Sequence, residues 1–256
     1  MKWPEYIMLV RHDVSAYNAL KKLKDEDPLY QQFKKEYEND YRSEKTQKLA
    51  EEVHQKYDLG SGDHDTPLLP ESSRARSLGR RMRADNFPIP DVIFVSPYAR
   101  TLNTLDQLMN GWSELKSAKV VEEERIREQD HGLATLYYDW RAFHVMHPEQ
   151  KLLYDRLGSY WYKYPQGENI PDVRDRVRSW TTTVIRDFSK KKVLVVTHHL
   201  TILSMRANFE RLDAAEFQRL DTQEKPINCG VTLYKGYSHM GKSGKLVLEF
   251  YNKKYY

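Results

Sequence analysis

Three short apolar runs punctuate the chain: Ile7-Met8-Leu9-Val10, Val92-Ile93-Phe94-Val95 and Val193-Leu194-Val195-Val196. Each is rich in β-branched residues and stops at polar ones. Runs of this length predict strands buried on both faces, as in a parallel sheet covered by helices. Between them the period changes. Over 169–190, Val173, Val177, Trp180, Val184 and Phe188 recur every three or four residues, which predicts one apolar face of a helix. Asn169 is a candidate N-cap, and Pro171 suits the first turn. Residues 71–84 and 98–109 also read as helices. Strand and helix in alternation predict an α/β fold, here a three-layer α/β/α sandwich with a mainly parallel central sheet. Residues 231–235 and 246–252 alternate instead, with a turn-rich stretch at 236–244, and predict a C-terminal hairpin.

Residues 19–57 break the alternation. They hold nine Lys/Arg, nine Asp/Glu and no glycine. Tyr30, Phe33, Tyr37 and Tyr41, then Leu49, Val53 and Tyr57, fall at helical spacing. This predicts a helical pair with its break near 39–43, inserted after the first strand and placed to overhang that strand's end. With no linker or repeat, 1–256 reads as a single domain with an insertion at 19–57 and a hairpin and tail at 234–256.

Composition narrows the class. The 256 residues carry 41 Lys+Arg and 37 Asp+Glu, a net charge of +4. Lys235, Lys242, Lys245, Lys253 and Lys254 against Glu249 place that whole excess in 234–256, and the remainder is neutral. Nothing in this balance asks for a nucleic-acid partner. One cysteine, Cys229, leaves no disulfide framework and no Cys-based zinc site, and it reads as a small buried residue. No apolar run approaches the roughly 20 residues of a membrane span. A cytoplasmic protein without membrane contact is the expectation. No residue pattern speaks to oligomeric state.

The candidate chemistry sits where the strands stop. They end in Arg11-His12, in Ser96-Pro97-Tyr98-Ala99-Arg100 and in Thr197-His198-His199. Ligands of open α/β sheets bind at the carboxyl ends of strands. Two arginines and two or three histidines there suit a phosphate. Arginine forks its donors onto phosphate oxygens, and histidine can attack, donate or carry a proton.

In order along the chain, these segments resemble one family. Arg11-His12-Asp13-Val14-Ser15-Ala16-Tyr17-Asn18 resembles the Arg-His-Gly-x-Ser/Thr-x-x-Asn signature of the histidine phosphatase superfamily, the phosphoglycerate-mutase-like fold. Asp65-Thr66-Pro67-Leu68, the stretch Ser96 to Thr104, Ile126 to Gly132, Gly167-Glu168-Asn169 with Asp172 and Arg176, Val196-Thr197-His198 and Pro226 to Cys229 resemble its later motifs. The resemblance implies a phosphomonoesterase acting on a small phosphorylated metabolite without metal or other cofactor. It implies His12 as nucleophile, forming a phosphohistidine. Arg11, Arg100 and His198 would surround the phosphoryl oxygens, two arginines and a protonated histidine doing the work of a cation. Glu128 would be the general acid and base. Asn18, Ser15, Asp13 and His199 would contact substrate.

Asp13 and His199 stand where the family usually has glycine. A carboxylate beside the nucleophile would repel phosphate and raise the His12 pKa, unless it points away. Two alternatives follow: a mutase passing the phosphoryl group to a second acceptor, and a weakly catalytic phospho-ligand binder. Against the mutase, the aromatic stretch after Gly132 replaces the segment that mutases carry there. Gly236 to Ser243 matches the P-loop pattern letter for letter, but a strand follows it, so it reads as a hairpin loop. Asp13 and Asn18 share a kinase-loop spacing without the rest of that signature.

Overall fold

The computed structural model describes residues 2–256. Its strands are β1 (Tyr6–Arg11), β2 (Val92–Val95), β3 (Lys119–Glu122), β4 (Lys192–Thr197), β5 (Val231–Tyr237) and β6 (Lys245–Lys253). Its α-helices are α1 (Ala16–Glu26), α2 (Pro28–Asp40), α3 (Glu44–Lys56), α4 (Arg74–Ala84), α5 (Ala99–Gly111), α6 (Trp140–Met146), α7 (Pro148–Trp161), α8 (Ile170–Asp187), α9 (His199–Glu210) and α10 (Ala214–Gln223). The chain divides into two compact units. One comprises Met1–Ser15, Pro67–Glu128 and Asp172–Tyr256, the other Ala16–Thr66 and Gln129–Pro171.

The first unit is built on a six-stranded sheet of order β3-β2-β4-β1-β5-β6. The four strands β3, β2, β4 and β1 are parallel, and the hairpin β5–β6 joins antiparallel. Register pairs Leu9 with Val195 and Arg11 with Thr197, so β1 and β4 end side by side. The apolar runs are unbroken because both faces are covered. Tyr6, Met8 and Val10 face α4 and α5 through Leu78, Met82, Leu105 and Leu108. Ile7 and Leu9 face α8 and α9 through Val173, Val177, Trp180, Ile202 and Met205. The α8 stripe is the one read from its spacing. The three layers and the mainly parallel sheet are as expected. The short edge strand β3, mostly exposed, was not.

Helices α4 and α5 touch backbone to backbone. A Cβ on Gly79 would lie 2.4 Å from the Leu108 carbonyl oxygen, and one on Gly111 would lie 2.1 Å from that of Arg76. These two glycines therefore set the helix separation.

The second unit packs Tyr30, Phe33 and Tyr37 of α2 and Leu49 and Val53 of α3 against Ala142 and Val145 of α6. The expected break falls at 41–43, where Ser43 caps α3. A second break was missed. Asp27 turns the chain and caps α2 by accepting from the Leu29 N–H at 2.8 Å, with Pro28 in the first turn. The insertion therefore has three helices, not two. Lys24 and Asp139 form a buried ion pair at 3.2 Å, to which Tyr30 donates at 2.5 Å. No helix among the described residues is long and apolar enough to cross a membrane.

Alanine at position 79 improves helix propensity by up to about 1 kcal/mol but drives a methyl group into backbone that cannot rotate away. Gly79→Ala is expected to destabilise the protein by about 1–3 kcal/mol in denaturant unfolding. A stabilised variant would contradict the close crossing.

Candidate active site

β1 delivers Arg11 and His12, the β2–α5 turn delivers Ser96 and Arg100, and the β4–α9 turn delivers His198 and His199. All belong to the first unit, and the structure brings the core of them together. The His12 and His198 rings lie 5.3 Å apart between centroids, and Tyr98 packs on His198 at 4.9 Å. The Arg100 guanidinium stacks over the Tyr98 ring at 4.7 Å, a cation–π contact that orients it. His198 closes β4 as the N-cap of α9 rather than as a strand residue.

His12 is buried, and its Nδ1 lies 2.6 Å from the carbonyl oxygen of Asp13. A carbonyl can only accept, so Nδ1 carries the proton and Nε2 keeps its lone pair. Burial, then Arg100, then Arg11 hold the His12 pKa well below the ordinary histidine value. Burial and the same two arginines hold His198 low as well. Both rings are thus neutral in the free protein. Ser96 Oγ sits 2.7 Å from His198 Nε2 and fixes that ring.

Arg11 donates to the Pro226 carbonyl at 2.6 Å. Burial lowers its pKa, and the Glu128 carboxylate works in the opposite direction, so Glu128 lies within electrostatic reach of Arg11. Glu128 Oε2 also accepts from the Leu200 N–H at 3.3 Å, at the N-terminus of α9.

Asp13 is the main correction. Its carboxylate accepts from its neighbour Val14 N–H at 2.7 Å and from the Ala75 N–H at 2.8 Å, in the first turn of α4. It is fully buried and spent on a helix N-terminus, where negative charge is stabilising. Those bonds commit its carboxylate within the fold, and its φ is not in the left-handed region. Only its backbone serves the site, through the carbonyl that holds His12. His199 also keeps a negative φ at the start of α9, and its Nε2 lies 2.8 Å from Asp221 Oδ1. Ser15 is buried and bridges to Leu68. Asn18 lies in the first turns of α1, in the second unit. Cys229 is buried beside Asp13, and burial pushes its thiol pKa up, as suits the small core residue expected.

Three supporting residues carried no role in the sequence reading. Arg176 donates to the carbonyls of Arg125 at 2.9 Å, Arg127 at 2.8 Å and Glu128 at 2.9 Å, clamping the segment that presents Glu128. Asn228 donates to the carbonyls of His12 at 3.0 Å and Asp13 at 3.2 Å. Thr104 Oγ1 accepts from the Asp13 N–H at 2.9 Å. Each stood inside a quoted motif, but only the fold shows which backbone it holds. Among the described residues no group of three or more His, Cys, Asp or Glu is arranged to hold a metal ion.

The model of the histidine phosphatase superfamily (branch 1) matches residues 50–243, most of the chain but beginning after His12. A phosphoglycerate mutase-like protein of Arabidopsis thaliana is 32% identical over 181 residues, covering 62% of this chain and 61% of that protein. Phosphoserine phosphatase 1 of Hydrogenobacter thermophilus is 28% identical over 133 residues, covering 50% and 57%. The chain thus spans less than two thirds of the length of these relatives. A mycobacterial glucosyl-3-phosphoglycerate phosphatase, solved with inorganic phosphate, shares the fold with a TM-score of 0.61 at 17% identity, over 98% of both chains.

The lowered histidines have a thermodynamic consequence. Below pH 6.5 the unfolded chain takes up protons that folded His12 and His198 refuse, so stability present above that pH is lost as pH falls. His144, lowered to about 4 by burial, adds to the same trend. Each such group contributes up to about 1.4 kcal/mol per pH unit. Denaturant unfolding between pH 6.5 and 5 is expected to show a shallower slope in His12→Ala by about that amount. An unchanged slope would mean that His12 is charged in the folded protein.

Proposed function

The chain belongs to the histidine phosphatase superfamily, and we propose that it hydrolyses phosphomonoesters of small phosphorylated metabolites through a phosphohistidine on His12. The observation that carries this reading is the Nδ1 hydrogen bond to Asp13, which leaves His12 Nε2 as an unprotonated nucleophile beside two arginines.

Nε2 attacks phosphorus as the ester P–O bond breaks, and the leaving oxygen takes a proton from the Glu128 carboxyl. Arg11, Arg100 and His198 supply donors to the phosphoryl oxygens, over which charge spreads in the transition state. Because these donors are already held in place, little reorganisation is needed when charge develops. Water then gives a proton to the Glu128 carboxylate and attacks the phosphohistidine. The P–N bond breaks, inorganic phosphate leaves, and Nε2 regains its lone pair. Arrival of a phosphate dianion favours protonation of His198, so the charged form belongs to the complex rather than to the free protein. Arg176 acts at one remove, keeping Glu128 in place through its backbone.

The names of relatives span phosphatases and mutase-like proteins. A mutase reading therefore stands second, with the same phosphohistidine returned to another hydroxyl instead of water. Product analysis separates the two: free phosphate against a phosphate-shifted isomer.

The role of Glu128 is tested by leaving-group dependence. Glu128→Gln is expected to slow hydrolysis of alkyl phosphates by about 10²–10⁴-fold and that of p-nitrophenyl phosphate far less, because nitrophenolate departs without a proton. Equal losses on both substrates would remove Glu128 from the acid role. A His12→Ala variant that retained turnover across a phosphorylated-metabolite panel would remove the mechanism.

A further inference from the structure

We propose that a cleft between α8 and the C-terminal half of α9, in the same unit as the catalytic residues but apart from them, binds a small anion that carries an aromatic ring, of mononucleotide size. The cleft measures about 410 Å³, within the range of small-molecule sites. Trp3, Ile185, Phe209 and Leu212 supply its apolar surface, and Arg178 and Arg211 add two cations. Among the described residues no acidic side chain lines it.

The anion preference comes from charge. A helix C-terminus ordinarily repels anions through its free carbonyls. Here Arg174 covers that end of α9. Its Nε donates to Asn208 Oδ1 at 3.2 Å, and its two terminal nitrogens reach the carbonyls of Leu212 at 3.3 Å and Ala207 at 3.4 Å. With those carbonyls occupied, the helix end no longer works against the outer arginines. Arg178 pairs with Asp175 at 3.3 Å, and both side chains are largely exposed, so that pair is readily exchanged for a phosphate. Arg211 closes α9 in the left-handed conformation and stands exposed.

The aromatic preference comes from Trp3 and Phe209. They meet edge to face, with centroids 6.2 Å apart and planes at 83°, and both are partly exposed. Phe209 also meets Tyr234, with centroids 5.1 Å apart, so a ligand's ring would pack on the partly exposed Trp3. The cleft does not merge with the catalytic residues: His199 and Phe209 lie at opposite ends of α9, roughly 15 Å apart at 1.5 Å per residue. The same two helices nonetheless serve both places. α8 carries Arg174 into the cleft and Arg176 to the Glu128 segment, and α9 is capped by His198 and ends at the cleft.

The proposal is independent of the phosphatase reading and is tested without turnover. AMP is titrated into His12→Ala protein and followed by tryptophan fluorescence and calorimetry. Saturable binding is expected, with the fluorescence change abolished in Trp3→Phe. Arg178→Ala/Arg211→Ala, which alters exposed side chains only, is expected to weaken binding about tenfold, and adenosine to bind at least as much more weakly than AMP. Arg11→Ala is expected to leave the Trp3-dependent fluorescence titration with AMP unchanged, whatever it does to AMP at the catalytic residues. Absence of saturable binding overturns the proposal, as does an affinity unchanged in the double arginine variant. Adenosine binding as tightly as AMP, a signal that survives Trp3→Phe, or loss of that titration in Arg11→Ala would overturn it equally. The last result would assign the AMP to the catalytic site.

Discussion

An uncharged His12 with its proton on Nδ1 is the condition on which the rest of the site depends. The Asp13 carbonyl fixes the proton's position. Burial and the neighbouring guanidinium groups keep the other nitrogen bare. That arrangement needs the Asp13 backbone to be immobile, and four contacts make it so. Asn228 holds the carbonyls of His12 and Asp13, Thr104 holds the Asp13 N–H, and the Asp13 carboxylate is seated in the first turn of α4. The nucleophile is thus anchored by segments from both ends of the chain and from its middle.

This anchoring also resolves the tension raised by an acid beside the nucleophile. A carboxylate there is hostile to phosphate only if it faces the ligand. In the fold its charge faces a helix N-terminus and accepts from the backbone N–H groups of Val14 and Ala75. The Glu128 carboxylate lowers the cost of burying Arg11.

The strand runs, their order and the residues at their ends were legible because a doubly covered strand must be apolar throughout, and because chemistry gathers where such strands stop. The α8 stripe was legible for the same reason at helical period. What escaped depends on partners distant in sequence. Nothing near Asp13 announces that the Ala75 N–H will donate to its carboxylate, and nothing near Arg176 announces three carbonyls some fifty residues upstream. The low His198 pKa of the free protein was not legible because burial beside two arginines cannot be seen in a motif. The three-helix insertion was read as two because charged and aromatic spacing runs through the Asp27–Pro28 turn. β3 was missed because an exposed edge strand has no apolar run.

The central claim concerns one nitrogen atom, and it is tested most directly by trapping. Protein mixed with excess substrate and quenched in alkali within milliseconds is expected to yield a phosphorylated peptide containing His12, stable in base and labile in acid, with phosphate on the ring nitrogen that does not face Asp13. Phosphorylation at any other residue, or turnover with no phosphorylated His12 under these conditions, would contradict the account.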